Sequence, residues 1–213
     1  MPGRRDRSIV FIDGSNWFHG LVEIGVLRKF ALNYAKLSTK LIGPARDWVG
    51  TRYYIGRLDV TSSAYADQRR LESFLKNTDP RIAIHFGRVE RRMVKNEAAS
   101  EILTYLHTLK MKIDERTFQD LVAFAKKHEK AFVWQEKAVD VQLAVDMVVM
   151  ATRDEYDVAY LLSADGDFTG AVSYVRSLGK KVYAASPLRG AQIAKVVNSF
   201  IPLTDPRWFD DCY

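Results

Sequence analysis

The chain alternates short runs of apolar, β-forming residues with segments of helical periodicity. Strands that are apolar on both faces and separated by helices are typical of a parallel sheet covered by helices on both sides. We therefore predict an α/β fold, a three-layer α/β/α sandwich with a central, mostly parallel sheet. The runs are SIVFI at residues 8–12, WVGTRYYIG at 48–56, RIAIHFGRV at 81–89, AFVWQ at 131–135, VAYLLS at 158–163 and KKVYAAS at 180–186.

One long segment departs from this alternation. Residues 90–130 contain no glycine or proline, and they include NEAASEILTYLHTLK at 96–110 and RTFQDLVAFAKKHEK at 116–130. Charged, helix-favouring residues without breakers predict helices. We interpret residues 1–213 as a single domain with a helical insertion at about 90–130, entered through a charged linker at 89–95.

Charge and cysteine content narrow the class of partner. The net charge is +6 and the pI is about 9.3, which favours an anionic partner such as nucleic acid. No apolar run approaches the roughly 20 residues that span a bilayer, and the basic start MPGRRDRSIV lacks the apolar stretch of a secretory signal. The only cysteine, Cys212, excludes an intramolecular disulfide and a cysteine-rich zinc site. We expect a cytoplasmic protein without a membrane partner.

Acidic residues follow two predicted strands and begin one predicted helix. Asp13 comes directly after SIVFI, and Asp165 and Asp167 come after VAYLLSA. Asp140 falls in the first turn of the helix that precedes VAYLLS, and Asp146 interrupts the apolar surface of that helix. Parallel α/β sheets bind ligands beyond the carboxyl ends of their strands, where such a helix also begins. We therefore expect these carboxylates to converge at that edge.

Clustered carboxylates without a matching set of cysteines or histidines suit a hard divalent cation, Mg²⁺ or Mn²⁺. Such an ion polarises a phosphoryl oxygen and activates water, so the arrangement predicts phosphodiester hydrolysis. Most of the acids also have a structural interpretation, Asp13 in an Asp-Gly turn and Asp140, Asp165 and Asp167 as helix caps. Asp146 is harder to explain in that way, because an unpaired carboxylate on an apolar helix face is unfavourable.

Three motifs in order, FIDGSNWF, KAVDVQLAVDM and LLSADGDF, resemble those of the NYN-domain family of PIN-like ribonucleases, over about residues 8 to 197. The resemblance implies a PIN-like three-layer α/β/α sandwich and a metal-dependent nuclease site. It also implies that Asn16 orients Asp13 or a metal-bound water. The implied catalytic residues are Asp13, Asp140, Asp146, Asp165, Asp167 and Asn16, of which Asp13, Asp140, Asp165 and Asp167 would bind the metal.

The chain departs from the family pattern at three small residues. Ala138 stands where the family usually has glycine, and Ala164 and Gly166 replace the small residues of the serine-glycine-aspartate-serine-aspartate motif. Every acidic residue is kept, so we expect the metal site to be retained and the loop geometry to differ.

Basic residues near the predicted carboxyl edge are candidates for binding phosphates, which supply most of the non-specific affinity for nucleic acid. Each of those in the GRVERRMVK segment can also lie on a solvated face, paired with Glu90 or Glu97. The candidate RNA-binding residues are Arg57, Arg88, Arg91, Arg92, Lys95 and Arg189.

Two functions fit this pattern. The first is a metal-dependent ribonuclease acting on single-stranded or structured RNA, with DNA left open as a substrate. The second is an RNA-binding regulatory module that keeps the metal pocket and turns over little. A phosphatase with an aspartyl nucleophile is disfavoured, because Ser15 occupies the position of its second aspartate. A nucleotide-binding dehydrogenase is disfavoured as well, because no G-x-G-x-x-G motif follows the first strand.

Overall fold

The computed structural model describes residues 4–26 and 31–213, without the side chains of Arg91 and of residues 131–137. The strands are β1 (Arg7–Asp13), β2 (Asp47–Gly56), β3 (Ile82–Lys95), β4 (Lys130–Lys137), β5 (Val158–Leu162), β6 (Lys181–Ser186) and β7 (Ser199–Pro202). The helices are α1 (Gly14–Glu23), α2 (Tyr34–Ile42), α3 (Tyr65–Thr78), α4 (Glu97–Leu109), α5 (Glu115–His128), α6 (Val139–Thr152) and α7 (Thr169–Ser177). None of the helices in this described part is long and apolar enough to cross a membrane.

The chain divides into two compact units, Val89–Glu136 and the remainder on either side of it. In the larger unit the strand order is β3-β2-β1-β5-β6-β7, and each neighbouring pair is parallel. From β1 the strand order runs outward through β2 and β3 on one side, and from the neighbouring β5 it runs outward through β6 and β7 on the other. The carboxyl ends of β1 and β5 are therefore the topological switch point of the sheet. The predicted parallel sheet is confirmed.

Alternating residues of β1 divide the core of the larger unit into two layers. Val10 and Ile12 pack with Trp17 of α1 and Leu37 of α2. Ile9 and Phe11 point the other way, because successive strand residues alternate between faces. They pack with Leu143 and Met147 of α6 and Val172 of α7. Helices therefore cover both faces of the sheet, and the predicted three-layer α/β/α sandwich is confirmed.

The smaller unit holds the second half of β3, the helices α4 and α5, and β4, which pairs with β3. Asn96 and Asp114 cap the two helices by accepting hydrogen bonds from Ala99 N and Thr117 N. A small core of Leu106, Phe118, Val122 and Ala125 joins the helices.

The sequence predictions were wrong in two local respects. Residues 89–95, predicted as a linker, continue β3, because backbone pairing with β4 decides the structure there and not apolar patterning. The segment GAQIAKVV at residues 190–197, whose sequence predicts a final helix, instead contains a short 3-10 turn, Ile193–Lys195. The sequence predictions also did not include α2 and β7.

Candidate active site

Asp13 is the last residue of the central strand β1 and is almost completely buried, with 3% of its surface exposed. Since Ile9 and Phe11 face α6 and α7, the alternation places Asp13 on the same face of the sheet. Its Oδ2 accepts a hydrogen bond of 3.0 Å from the Ser163 hydroxyl, and its Oδ1 accepts one of 3.2 Å from Asn16 N. Asp13 therefore caps α1 and also presents a buried carboxylate to the end of β5.

The glycine after Asp13 is required by close packing. A Cβ on Gly14 would lie 2.6 Å from both Tyr54 O and Tyr53 Cε1. The Asp-Gly pair thus brings the start of α1 against the end of β2, so it marks a strand-to-helix junction at the carboxyl edge.

Ser163 and Asn16 connect the ends of β1 and β5. Asn16 Oδ1 accepts a hydrogen bond of 3.0 Å from Ala164 N, and the Ser163 oxygen accepts one of 3.1 Å from Asp165 N. Asp165 in turn caps the next turn through a bond of 2.9 Å from Asp167 N. The side chain of Asn16 thus fixes the loop after β5, while its backbone N–H binds Asp13.

An open depression of about 550 Å³ lies beside this junction. Asp165 is half-buried in it and Asp167 is exposed, and neither forms an ion pair within the described chain. Arg189, also exposed, supplies a cationic group to the same depression. The depression is lined by Asn16, Ala164, Asp165, Gly166, Asp167, Leu188, Arg189, Ala191 and Gln192.

Gln192 packs against the glycine at position 166. A Cβ on Gly166 would collide with Gln192 Oε1, so the loop between the two aspartates packs directly against this amide.

The two aspartates of α6 have different surroundings. Asp140 is exposed in the first turn, directly after Val139 and Ala138. Ala138 has a φ of 66°, in the left-handed region that favours glycine. Asp146 is half-buried two turns further on.

Asp146 lies among polar groups from β2 and β3. Its Oδ2 accepts a hydrogen bond of 2.8 Å from the Tyr54 hydroxyl and lies 4.0 Å from His85 Nδ1. The Tyr54 and His85 rings are stacked, with centroids 4.7 Å apart, and Arg52 Nη1 is 3.0 Å from His85 Nε2. Burial raises the pKa of Tyr54, and burial followed by the Arg52 charge lowers the pKa of His85. Both groups are therefore neutral near pH 7.

The other predicted RNA-binding residues lie on strands or next to them. Arg57 follows β2 directly and is exposed, with its guanidinium 4.0 Å from the Phe86 ring centroid. Arg88 is exposed on β3, while Arg92 and Lys95 are exposed in the smaller unit. The side chain of Arg91 lies outside the described ones.

The carboxylates do not form a complete metal site. Across residues 4–26 and 31–213, no three His, Cys, Asp or Glu side chains come together in a group that could hold a metal ion. The hard oxygen donors at the carboxyl edge fit Mg²⁺ or Mn²⁺ in their chemistry. In the described arrangement the Asp13 and Asp165 carboxylates accept hydrogen bonds from the Ser163 hydroxyl and from backbone N–H groups. The expected convergence of all the carboxylates is therefore not seen, and their roles as ligands stay predictions.

Sequence reasoning did not identify the groups that hold the acids in place. These are the Ser163 hydroxyl at Asp13, and the Tyr54 hydroxyl and His85 ring at Asp146. Gln192 packs against the loop between Asp165 and Asp167. Ser163 could have been found from strand alternation, since Ala159 and Leu161 face the same layer as Phe11. Tyr54 is fully buried, as expected for a strand residue, and only the fold shows the partner of its hydroxyl.

Comparisons with known proteins concern the family and the fold of the chain. A family model described as the NYN domain matches residues 7–204. The crystal structure of a protein of unknown function from Vibrio parahaemolyticus is similar to this chain, with a TM-score of 0.57 and 12% sequence identity, over 97% of this chain and 98% of that one. At this identity the likeness concerns the fold alone. No curated protein matches the chain.

Proposed function

Because the chain belongs to the NYN-domain family, a family of PIN-like ribonucleases, we propose that it hydrolyses phosphodiester bonds of RNA in a reaction that requires Mg²⁺ or Mn²⁺. One observation carries the proposal. Asp13 and Asp165 flank Ser163 at the switch point between β1 and β5, beside an open depression that also holds Asp167 and a cationic side chain. Switch points are where open α/β sheets bind ligands.

The proposed metal ligands are Asp13, Asp140, Asp165 and Asp167. A divalent ion bound there would neutralise charge on the phosphate and increase the acidity of a bound water. In the described arrangement Ser163 donates its hydroxyl to the Asp13 carboxylate and accepts the Asp165 backbone N–H, so it connects the two segments that carry these ligands.

The residues of the chain itself contribute positioning and charge. Ser163 and Asn16 N hold the buried carboxylate of Asp13 in one orientation, and the Asn16 side chain fixes the loop that carries Asp165. The exposed guanidinium of Arg189 can bind a phosphate oxygen of a strand that enters the depression. Arg57 directly follows β2 and Arg88 lies within β3 of the same sheet, and their exposed guanidinium groups add to the basic surface available to RNA.

A second function is favoured by one specific observation. Within the described part of the chain, the acidic groups do not assemble into a metal-binding group of three. The chain would then be an RNA-binding regulatory module with a retained pocket and little turnover.

Cleavage of an end-labelled single-stranded RNA by the purified protein tests the proposal. We expect cleavage in Mg²⁺ or Mn²⁺ and none in EDTA. Asp13→Asn and Asp165→Asn should each lower the rate at least roughly 100-fold, the scale of losing one key electrostatic group, with unchanged circular dichroism spectra. Asp47→Asn is the matched control, since Asp47 lies at the opposite end of β2 and its ion pair with Arg5 is largely exposed.

Full activity in both site variants would overturn the assignment of the site. A wild-type protein that retains the RNA with either metal and never cleaves it would favour the binding module.

A further inference from the structure

A polar group of four side chains, Arg52, Tyr54, His85 and Asp146, lies on the sheet face covered by α6. We infer that Tyr54 and His85 are positioning residues that hold the carboxylate of Asp146 with one oxygen fixed and the other open to the site. The expected effect on RNA cleavage rests on the proposed function. The orientation of the Asp146 carboxylate is tested separately, without turnover.

The register of the sheet connects this group with Asp13. Tyr54 is the β2 partner of Asp13 on β1, and His85 is the β3 partner of Tyr54. Paired residues of parallel strands point to the same face, and adjacent strands are about 4.8 Å apart. Asp13, Tyr54 and His85 therefore form one row across the sheet, and the Tyr54 hydroxyl extends from this row to Asp146 on α6. Tyr54 therefore neighbours Asp13 in the sheet and binds the Asp146 carboxylate through its hydroxyl.

The contacts of Asp146 involve only one of its oxygens. Oδ2 accepts the Tyr54 hydrogen bond and faces His85 Nδ1, while Oδ1 has no hydrogen-bond partner among the described residues. The Asp146 side chain remains 30% exposed. Such a carboxylate has a fixed orientation and a free acceptor that can bind a water entering the site.

The hydrogen-bond roles of His85 follow from Arg52. A guanidinium can only donate, so His85 Nε2 is the acceptor in the 3.0 Å contact with Arg52. The neutral ring then carries its proton on Nδ1, the nitrogen that faces Asp146. Stacking on His85 at an interplanar angle of 16° also fixes the plane of the Tyr54 ring. Tyr54 and His85 thus both face Oδ2 of Asp146, and Arg52 fixes the orientation of His85.

A purely structural role for Asp146 would be to satisfy the buried Tyr54 hydroxyl. The two roles differ in what happens when that hydroxyl is removed. Under the structural role, Tyr54→Phe removes the buried hydroxyl and with it the need for a hydrogen-bond acceptor, so turnover stays unchanged. Under the positioning role, the Asp146 carboxylate loses its orientation, and turnover falls while the fold is kept.

Steady-state RNA cleavage by Tyr54→Phe, Asp146→Asn and the double variant tests the catalytic consequence. We expect Tyr54→Phe to lower kcat about 10-fold with KM changed less than about twofold, and the double variant to be no slower than Asp146→Asn, because residues acting as a unit are not additive. The matched control is Tyr160→Phe, whose hydroxyl binds Arg46 on the other face of the sheet. An unchanged kcat in Tyr54→Phe would overturn the inference that Tyr54 supports turnover by positioning Asp146.

NMR titration of the His85 ring tests the positioning without any turnover. Among the described residues, the titratable and charged groups that face this ring are Arg52, Tyr54 and Asp146. We expect Asp146→Asn to lower the pKa of His85 in the parent protein, because it removes a nearby negative charge, and to lower it less when Tyr54→Phe is also present. An equal decrease in both backgrounds would overturn the positioning. A wild-type protein that does not cleave RNA would overturn the proposed function instead, and this titration would still decide the positioning.

Discussion

The two edges of the parallel sheet use aspartates in opposite ways. At the amino edge, Asp157 binds Arg7 through the backbone N at 2.8 Å and the guanidinium at 3.0 and 2.9 Å, and Lys180 lies 3.7 Å away. At the carboxyl edge, Asp13 accepts hydrogen bonds from the Ser163 hydroxyl and a backbone N–H, and Asp165 accepts one from a backbone N–H.

The difference shows which acids have a mainly structural role. The Arg7 hydrogen bonds hold the pKa of Asp157 well below its usual range, since the negative charge is balanced inside the protein. Lys180 does the same for the pKa of Asp154, with Arg7 as a second partner. The hydrogen bond that Asp165 accepts comes from a neutral backbone N–H, so it orients the carboxylate without cancelling its charge. A site that must attract a cation needs this second arrangement.

The largest expected effects come from exchanging one aspartate at each edge for asparagine. Asp157→Asn should lower the free energy of unfolding by about 2 kcal/mol, because it removes charge-assisted hydrogen bonds to Arg7, and should leave RNA cleavage per folded molecule unchanged. Asp165→Asn should show the reverse, with cleavage lost and stability kept. Urea unfolding and the cleavage assay on both variants measure this, and equal effects of the two variants on stability would remove the distinction between the edges.

The pH dependence of stability tests whether the charge of the Asp157 carboxylate stabilises the amino edge. Its folded-state pKa lies below the unfolded value of about 3.9, so its contribution to stability is fully present well above that value. The contribution is lost as the pH falls through about 4 toward the folded pKa. We therefore expect the stability difference between wild type and Asp157→Asn to shrink between about pH 5 and pH 2.

Urea unfolding at a series of pH values measures this difference. A stability gap that stays constant down to pH 2 would show that the Arg7 contact does not depend on the charge of Asp157.

The smallest effect concerns two residues with left-handed backbone, one near each edge. Ala138, before α6, has a φ of 66°, and Asp154, paired with Lys180 and Arg7, has a φ of 55°. Ala138→Gly should stabilise the protein by roughly 0.5–1 kcal/mol, since the strain relieved exceeds the unfolded-state entropy that glycine adds. Asp154→Gly should give no gain, because it also removes ion pairs. Thermal unfolding of both variants tests this, and a loss of stability in Ala138→Gly would contradict it.

The sequence predicted the type of fold and the edge at which the acids lie. Runs of apolar strand residues alternating with helices indicated a parallel sheet, and the structure has six parallel strands. Asp13 is the last residue of β1 and Asp165 lies in the loop after β5, so their place at the switch point was readable from the motif order. The second half of β3 was not, because its charged sequence forms a strand through pairing with β4.

The sequence by itself therefore determined the layers, the parallel sheet and the residues at its carboxyl edge, because each depends on patterns within about 10–15 neighbouring residues. Only the tertiary structure decided how the acids are held. Ser163 is 150 residues from Asp13 along the chain, and Tyr54 is 92 residues from Asp146. Hydrogen bonds act over about 3 Å in space, and no local pattern encodes which distant donor will come within that range.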